Sequence, residues 1–525
     1  MRRIATLTGM LIYIQMGYSQ CITTNINGNY TQSSDIILSG VINVTGTYLL
    51  PAGVTITVSP FTTDSCGSLT INAKKIEIIG MINGDNAGYP GGSGGAGATS
   101  VTSITGHSAS LTTCNDKDNP GQITVGGGQF GMAGSGPGGG SAGGNGTAGS
   151  GSKQECQTSG DKGGMVAGSG GAGGGAGGSY GGLGTNGLSG GNGAATATIN
   201  GFSFSSAYTP LAGNGGMGGS TSTTYGTISG TDIDLGSGGG GAGGGGRSYY
   251  AGEAGLKGGN GGGMVKLVAS DTLIVTGIIS VNGENGKQGG KGGNGDKSPD
   301  CCSDLCNDCG ERTFSAGAGG GGGSGAGSGG GIYLESGKYA HINATLSANG
   351  GEGGNPGNAG TGVSCNYDTF GCGTQNVTTA NGSQGSSGGS GSGGRVKIKT
   401  TDCPTNIISP TITVNGGTGA ENGSMYEATI PCQYAGIEFE GEINAVLFPN
   451  PASDQLSFRI NAYSVGMSSI ELQLIDATGR ILSASQHPLF NGQVITLPVG
   501  HLSAGIYTLL VKNNYLVKNY PFIIQ

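Results

Sequence analysis

The chain has 525 residues, 121 of them Gly and none Trp, and only 10% of it is charged, against about 25% in an ordinary globular domain. A conventional core of large side chains therefore cannot fill most of its length. The formal net charge of −8 is spread thinly, and no basic patch carries interleaved aromatics, so nucleic acid is not an expected partner.

The N-terminus reads as an export signal over residues 1–20. Arg2 and Arg3 form a charged start, Ile4 to Met16 is mostly apolar, and Gly17-Tyr18-Ser19-Gln20 suits cleavage. That apolar run is too short to span a bilayer, and no later run is long enough, so no transmembrane segment is expected. Cys21 follows the expected cut. Gln20 before it does not suit lipoprotein processing, so ordinary cleavage is favoured.

Export places the twelve cysteines in an oxidising setting. Cys114 and Cys156, Cys365 and Cys372, and Cys403 and Cys432 form local pairs. Cys301, Cys302, Cys306 and Cys309 cluster in "CCSDLCNDCG". Cys306 and Cys309 have zinc-like spacing, but no second CxxC or His pair is near, so disulfides are the preferred reading. Their connectivity is left open.

Residues 21–66 have a strand-and-turn rhythm, best seen in "DIILSGVINVTGTYLLPAGVTITV" (35–58), and read as an N-terminal cap or first coil. The Gly-rich repeat region, 67–420, then carries four related strand units at 67–84, 262–283, 330–350 and 393–416. Val265, Leu267, Leu273, Val275, Ile279 and Val281 match Ile332, Leu334, Ala340, Ile342, Leu346 and Ala348 without a gap. The last unit has two extra residues around Cys403-Pro404. All four end in Asn-Gly, at Asn83, Asn282, Asn349 and Asn415. Strict period two buries one face of each strand. A single short unit cannot hide that face, whereas stacked units can, and stacked Asn amides can then bond along a ladder. Asn and Gly also both tolerate a left-handed turn. The pattern resembles the parallel β-helix repeats of exported bacterial surface proteins. A set of antiparallel hairpins turning at "ASDT" is the alternative.

After the Asn-Gly pairs the period changes to three. Gly88, Gly91, Gly94 and Gly97 follow the first unit, and Gly286, Gly289, Gly292 and Gly295 the second. Gly351, Gly354, Gly357 and Gly360 follow the third, and Gly382 to Gly394 lead into the fourth in the same step. The longest run is Gly178, Gly181, Gly184, Gly187, Gly190 and Gly193. Period three is that of the extended left-handed helix of polyproline type, which has no internal hydrogen bonds. All-Gly faces let such helices approach and bond to one another. The arrangement resembles the polyglycine II bundles of a Gly-rich insect antifreeze protein and some phage tail-tip adhesins. A flexible Gly/Ser linker is the plain alternative. No strand unit is recognisable inside 89–261.

Residues 421–441 read as a linker. From 442 to 525 the composition becomes ordinary, with alternating strands of a small β-sandwich. Pro449-Asn450-Pro451 precedes a strand with Asp454, Asp476 to Gly479 forms a turn before Arg480, and Leu502, Gly505 and Tyr507 precede Val511. In these residues the segment resembles the type A C-terminal sorting domain of the type IX secretion system of Bacteroidetes. The resemblance implies that the secretion machinery is a partner, that the chain crosses the outer membrane, and that it is then anchored or released. The uncharged ending at Gln525 departs from the pattern.

No catalytic constellation is found: His107, His341, His487 and His501 are scattered, and neither GxSxG nor HExxH occurs. Lys266, Arg395, Lys397 and Lys399 fall on outward strand positions with only Glu335 among them as a carboxylate, and read as a solvated face. No cofactor is expected. Asp296, Asp300, Asp304 and Asp308 offer hard oxygen ligands for Ca2+ without following a known calcium motif. Tyr180, Tyr225, Tyr249 and Tyr250 suit either stacking on sugars or packing. The expected fold is all-β: a Gly-rich, right-handed, parallel β-helix-like solenoid with polyglycine II inserts, plus a small C-terminal β-sandwich. The expected role is that of a secreted or cell-surface structural, adhesin-like protein, without catalysis, that meets glycans or other surface polymers. The alternatives are a β-helical polysaccharide-degrading enzyme and an ice-binding-like protein.

Overall fold

The computed structural model describes residues 21–63, 65–103, 122–152, 164–200, 209–297, 313–369, 373–402, 406–430, 444–462, 469–488, 493–512 and 517–525. The described residues hold strands and no helix. The chain divides into two compact units, Met1–Thr429 and Ile430–Gln525.

In the first unit the strand units pair with one another, side by side and parallel. One sheet takes Ile22–Ile26, Gly40–Leu50, Ser68–Ile78, Met264–Val275, Gly331–Ser336, Arg395–Thr401 and Ser424–Ile430 in that order. A second takes Ile36–Leu38, Thr55–Val58, Met81–Asn83, Ile278–Ser280, Thr345–Ser347 and Thr411–Thr413. The register follows the sequence alignment: Val265 faces Ile332, Leu267 faces Leu334, Leu273 faces Ala340, Val275 faces Ile342 and Ile279 faces Leu346. The two extra residues of the last unit also appear. Leu334 pairs with Ile398 before Cys403-Pro404, and His341 with Ile407 after it, two places further on. Antiparallel hairpins within a unit are thereby excluded. Residues 21–66 contribute two rows of strands rather than one, because Ile22–Ile26 pairs with Gly40–Leu50, and that strand pairs in turn with Ser68–Ile78.

Matching positions share one apolar core. Leu69, Val265, Ile332 and Val396 lie along one line, and Ile71, Leu267, Leu334 and Ile398 along the next, all buried. Ser68–Ile78 pairs directly with Met264–Val275, so the long Gly-rich stretch between them inserts no strand into this sheet.

The Gly-rich segments bond to one another through their backbones. Residues 164–180, 235–246 and 314–334 are buried throughout. Along the last of these the N–H groups turn in three directions in rotation, and the third direction meets one segment and then another. Gly317, Gly320, Gly323, Ala326 and Gly329 donate to the carbonyls of Ala380, Ser383, Ser386, Gly389 and Ser392. Ala318, Gly321, Ser324, Gly327 and Gly330 donate to those of Gly293, Gly290, Lys287, Glu284 and Val281. Gly319, Gly322, Gly325 and Ser328 donate to those of Ser169, Ala172, Gly240 and Ser237. The other two segments do the same: Gly238, Gly241 and Gly244 reach Ser135, Met132 and Gln129, while Gly239, Ala242 and Gly245 reach Gly259, Leu256 and Glu253. Side chains leave no room for this. A Cβ on Gly321 would lie 2.0 Å from the carbonyl oxygen of Gly243, and one on Gly171 would lie 2.2 Å from that of Gly320.

The segments that follow the second and third units also run in register, with Gly286, Gly289, Gly292 and Gly295 donating to Glu352, Asn355, Asn358 and Thr361. The corners between strand and glycine segment differ from expectation in one respect. Gly84, Gly283, Gly350 and Gly416 are not in the left-handed region; among the described residues Asn86, with φ 60°, is the non-Gly residue that is. The corner glycines answer to close approach instead, since a Cβ on Gly350 would sit 2.1 Å from the Gly391 carbonyl oxygen.

The second unit is a two-sheet structure of antiparallel strands. Asn444–Phe448, Gln455–Ala462 and Val494–Pro498 form one sheet, and Ile481–Pro488, Ser469–Asp476, Gly505–Lys512 and Val517–Ile524 the other. Leu456, Phe458 and Ile495 of the first sheet share a buried core with Leu472, Leu509, Val511 and Phe522 of the second.

Candidate functional site

The outward basic residues of the first unit meet one another through strand register. Lys266, Tyr333 and Lys397 lie on one line across three strands, and Val268, Glu335 and Lys399 on the next. These side chains do not form a solvated face: Arg395 is 4% exposed and Lys397 1%. Residues 225–235 pass over them. The Lys397 ammonium donates to Asp232 Oδ1 at 2.9 Å and to its carbonyl at 2.5 Å. Lys266 donates to the Thr231 carbonyl at 3.3 Å and lies 4.8 Å over the Tyr333 ring. Lys399 pairs with Glu335 at 3.0 Å, and the Tyr333 hydroxyl donates to the same carboxylate at 2.6 Å. The sequence reading missed the carboxylate opposite Lys397 because it comes from a loop remote in sequence.

Arg395 donates to Ser424 Oγ at 2.8 Å and to the Tyr225 carbonyl at 3.0 Å, and its guanidinium lies 5.4 Å over the Tyr180 ring. Tyr180 is fully buried, packs 4.7 Å from Tyr225, and accepts the Asp234 N–H at 2.8 Å. It is a packing plug, closed to any sugar. Tyr250 is 52% exposed and donates to Asp296 at 2.8 Å, and its ring lies 5.0 Å from that of Tyr249.

The carboxyl groups here are driven in opposite directions. Burial pushes Asp234 up, and the charge of Asp232 adds to it. Burial also acts on Asp232, but hydrogen bonds from Thr227, then Lys397, outweigh it and hold that group well below the usual carboxylate range. Glu335 is lowered as well, since the bonds from Tyr333 and Lys399 outweigh its burial. Such shifts mark ion-pair networks as well as reactive groups. Among the described residues no cluster of three metal-ligating side chains occurs. Asp300, Asp304 and Asp308 lie outside the described residues, as do Cys301, Cys302, Cys306, Cys309, Cys372, Cys403 and Cys432. Cys365 falls on the strand Ser364–Thr369. The disulfide the structure does describe joins Cys21 to Cys66, with Cα atoms 5.4 Å apart. The signal for it was available: these are the two cysteines left outside the local groups.

In the second unit the singled-out residues hold turns and strand ends. The Asn450 side chain accepts the Ile523 N–H at 2.9 Å, between Pro449 and Pro451. Asp476 accepts from the Thr478 hydroxyl at 2.6 Å, the Thr478 N–H at 2.9 Å and the Arg480 N–H at 3.0 Å. These bonds, the Thr478 hydroxyl first, bring its carboxyl down to about 2. Gly479 closes the turn at φ 85°, a conformation that disfavours side chains. Gly505 opens the strand Gly505–Lys512, on which the Tyr507 hydroxyl reaches back to the Ser503 carbonyl at 2.8 Å. Residues 446–525 match the secretion-system C-terminal sorting domain family.

The tail is a type IX sorting domain. Such a tail is recognised by the type IX secretion machinery and directs export across the outer membrane, to the cell surface or the medium. Among solved structures, dimeric latent PorU from Porphyromonas gingivalis matches at 20% identity over 15% of this chain, with a TM-score of 0.13. The chain spans only 9% of that protein's length. No curated protein matches the chain. No helix of the described residues is long and apolar enough to cross a membrane.

Proposed function

We propose that the sorting tail delivers a rigid, non-catalytic surface protein that acts as an adhesin or coat component. In this reading the parallel strand rows are the coils of a right-handed β-solenoid, and the Gly segments form a polyglycine II bundle beside it. The observation that carries the reading is the rotation of N–H groups along residues 317–330 in three directions, onto four neighbouring segments. A core made of backbone bonds holds its shape without large apolar side chains. It presents a long surface with little charge, suited to glycans and other repetitive polymers. Amide exchange tests the premise: slow exchange over 168–180, 238–246 and 317–330 is expected, and exchange at random-coil rates there overturns it. Attachment tests the role. Cells lacking the protein are expected to lose adhesion to polysaccharide-coated surfaces, and unchanged attachment with an intact envelope removes the adhesive reading.

A second reading, a polysaccharide-degrading enzyme, draws on Asp232 and Asp234. Their environments push them apart, Asp232 down and Asp234 up, as in acid–base pairs of hydrolases. Depolymerisation of an acidic polysaccharide by the purified chain, abolished in Asp234→Asn, would favour that reading over adhesion.

A further inference from the structure

The first three strand rows carry a feature of their own on the outward side. Asn25, Asn43 and Asn72 are register partners. The Asn43 amide donates to Asn25 Oδ1 at 2.8 Å, and the Asn72 amide donates to Asn43 Oδ1 at 2.9 Å. The next position across is Val268, which has no polar group, so the ladder stops there. Each amide has two N–H groups and two acceptor lone pairs. Asn43 uses one of each within the ladder and keeps one of each. Asn25 keeps its amide hydrogens and Asn72 its carbonyl oxygen.

These free edges border a groove of about 500 Å3, lined also by Ile26, Val44, Ala73, Val268 and Thr45. Its concavity has a structural cause. The strand register slips between Val44 and Thr47 and again between Ala269 and Thr272, so bulges stand at the same level on the two strands that flank Ser68–Ile78, and a bulge bends its strand locally. The volume falls within the range of about 300–1,000 Å3 usual for small-ligand sites. Among the described residues that line it, Lys74 is the one that carries a charge.

We infer that this groove binds a neutral saccharide chain laid across the strands. The inference rests on the adhesive reading above and names its site and ligand class. An amide edge offers a donor and an acceptor side by side, which matches the paired hydroxyls of a sugar ring. Ile26 and Val268, partly exposed on the lining, match the C–H face of that ring. Successive amides repeat at the strand spacing of about 4.8 Å, which suits a polymer rather than a single compact molecule. The absence of carboxylates from the lining and the single lysine select against strongly charged polymers.

The test is affinity electrophoresis of the full chain through native gels containing mannan, laminarin or xylan, with alginate as the acidic control. Retardation by at least one neutral polymer is expected. Ser270→Trp, at an exposed position on the groove wall, fills the space without touching the ladder. Asn43→Leu removes the central amide. Each is expected to weaken binding about tenfold or more, as the loss of two hydrogen bonds implies, with unchanged thermal melting in the Trp variant. Lys74→Gln is expected to bind as the parent does. Retardation that persists in both Ser270→Trp and Asn43→Leu overturns the groove assignment and leaves adhesion standing elsewhere on the surface. Binding to alginate alone, lost in Lys74→Gln, overturns the neutral-ligand assignment. If no polymer retards the parent chain, the groove assignment fails, while the attachment assay on cells still judges the adhesive reading separately.

Discussion

The strand rows and the glycine segments of the first unit solve one problem by two different means. In the rows, period-two side chains such as Ile71, Leu267, Leu334 and Ile398 fill the interior, and burial of apolar area stabilises it. In the glycine segments the interior holds main-chain amides and carbonyls, with Ala and Ser as the largest common side chains in the buried runs. The first core tolerates a change of side-chain size at some cost: Ile76, Leu273 and Ala340 occupy equivalent places. The second has little latitude at its glycines, where carbonyl oxygens stand about 2 Å from where a Cβ would be. A side-chain core is thus specified by pattern and volume, and a backbone core by glycine at each place where a neighbouring carbonyl leaves no room for a Cβ.

This contrast can be broken at several points. Leu267→Ala in the apolar core is expected to cost about 2–5 kcal/mol, from lost transfer energy and the cavity left behind; chemical denaturation of the first unit measures it. Gly321→Ala adds a single methyl group where Gly243 leaves none, and is expected to cost about 1–3 kcal/mol through forced backbone shifts. If this variant is as stable as the parent, the backbone-core account fails, whatever Leu267→Ala shows. Lys397→Met removes the ammonium under residues 225–235. With Asp232 partly exposed, the loss is expected to be about 1–2 kcal/mol, confined to faster amide exchange over that loop. A global change would mean that the loop is part of the core.

Asn349→Ala sharpens the comparison where the two cores meet. The Asn349 side chain accepts the Asn415 N–H at 2.8 Å, while Asn282 Oδ1 accepts the Asn349 N–H at 2.7 Å. Its loss leaves one main-chain donor unpaired, for about 1 kcal/mol, read as a small shift in the melting curve. The smallest effect belongs to the tail. Asp476 is held at about 2 in the folded state against a usual value of 3.8. Its contribution is therefore present above about pH 4 and lost as the pH falls through 2. Asp476→Asn is expected to lose that pH dependence, which acid titration of the isolated transition of the second unit would reveal.

Much of this was legible in sequence because the repeat carries its own register. Two strands that pair in parallel share the same alternation, so aligning Val265 with Ile332 amounted to predicting the pairing itself. The two residues added around Cys403 showed as a slip for the same reason. The sorting tail was legible because its turn residues are short-range: Asp476 and Arg480 meet within one turn. The outward charges were not. Lys397 sits on an outward position and still ends up buried, because a loop some 165 residues earlier in the chain supplies Asp232, and no local pattern encodes that meeting. The Asn ladder also escaped notice. The four recognised units end in Asn-Gly, but at the corners an Asn oxygen or the Asp85 carboxylate accepts a main-chain N–H. The amide-to-amide ladder runs through Asn25, Asn43 and Asn72, in two rows that had no recognised repeat and at a mid-strand position of the first recognised unit.

What the sequence by itself determined was periodicity: two for strands that bury one face, three for glycine runs, and the local turns of the tail. These are properties of neighbouring residues and follow from backbone geometry alone. Only the tertiary structure decided which glycine segments bond to which, which strand rows stand side by side across the long insert, and which outward lysine is covered. A Gly N–H has no side chain to distinguish its partner, and one glycine run offers the same bonds as another. Where a run leaves a strand row, as after Asn282 and Asn349, the row sets its register with the next.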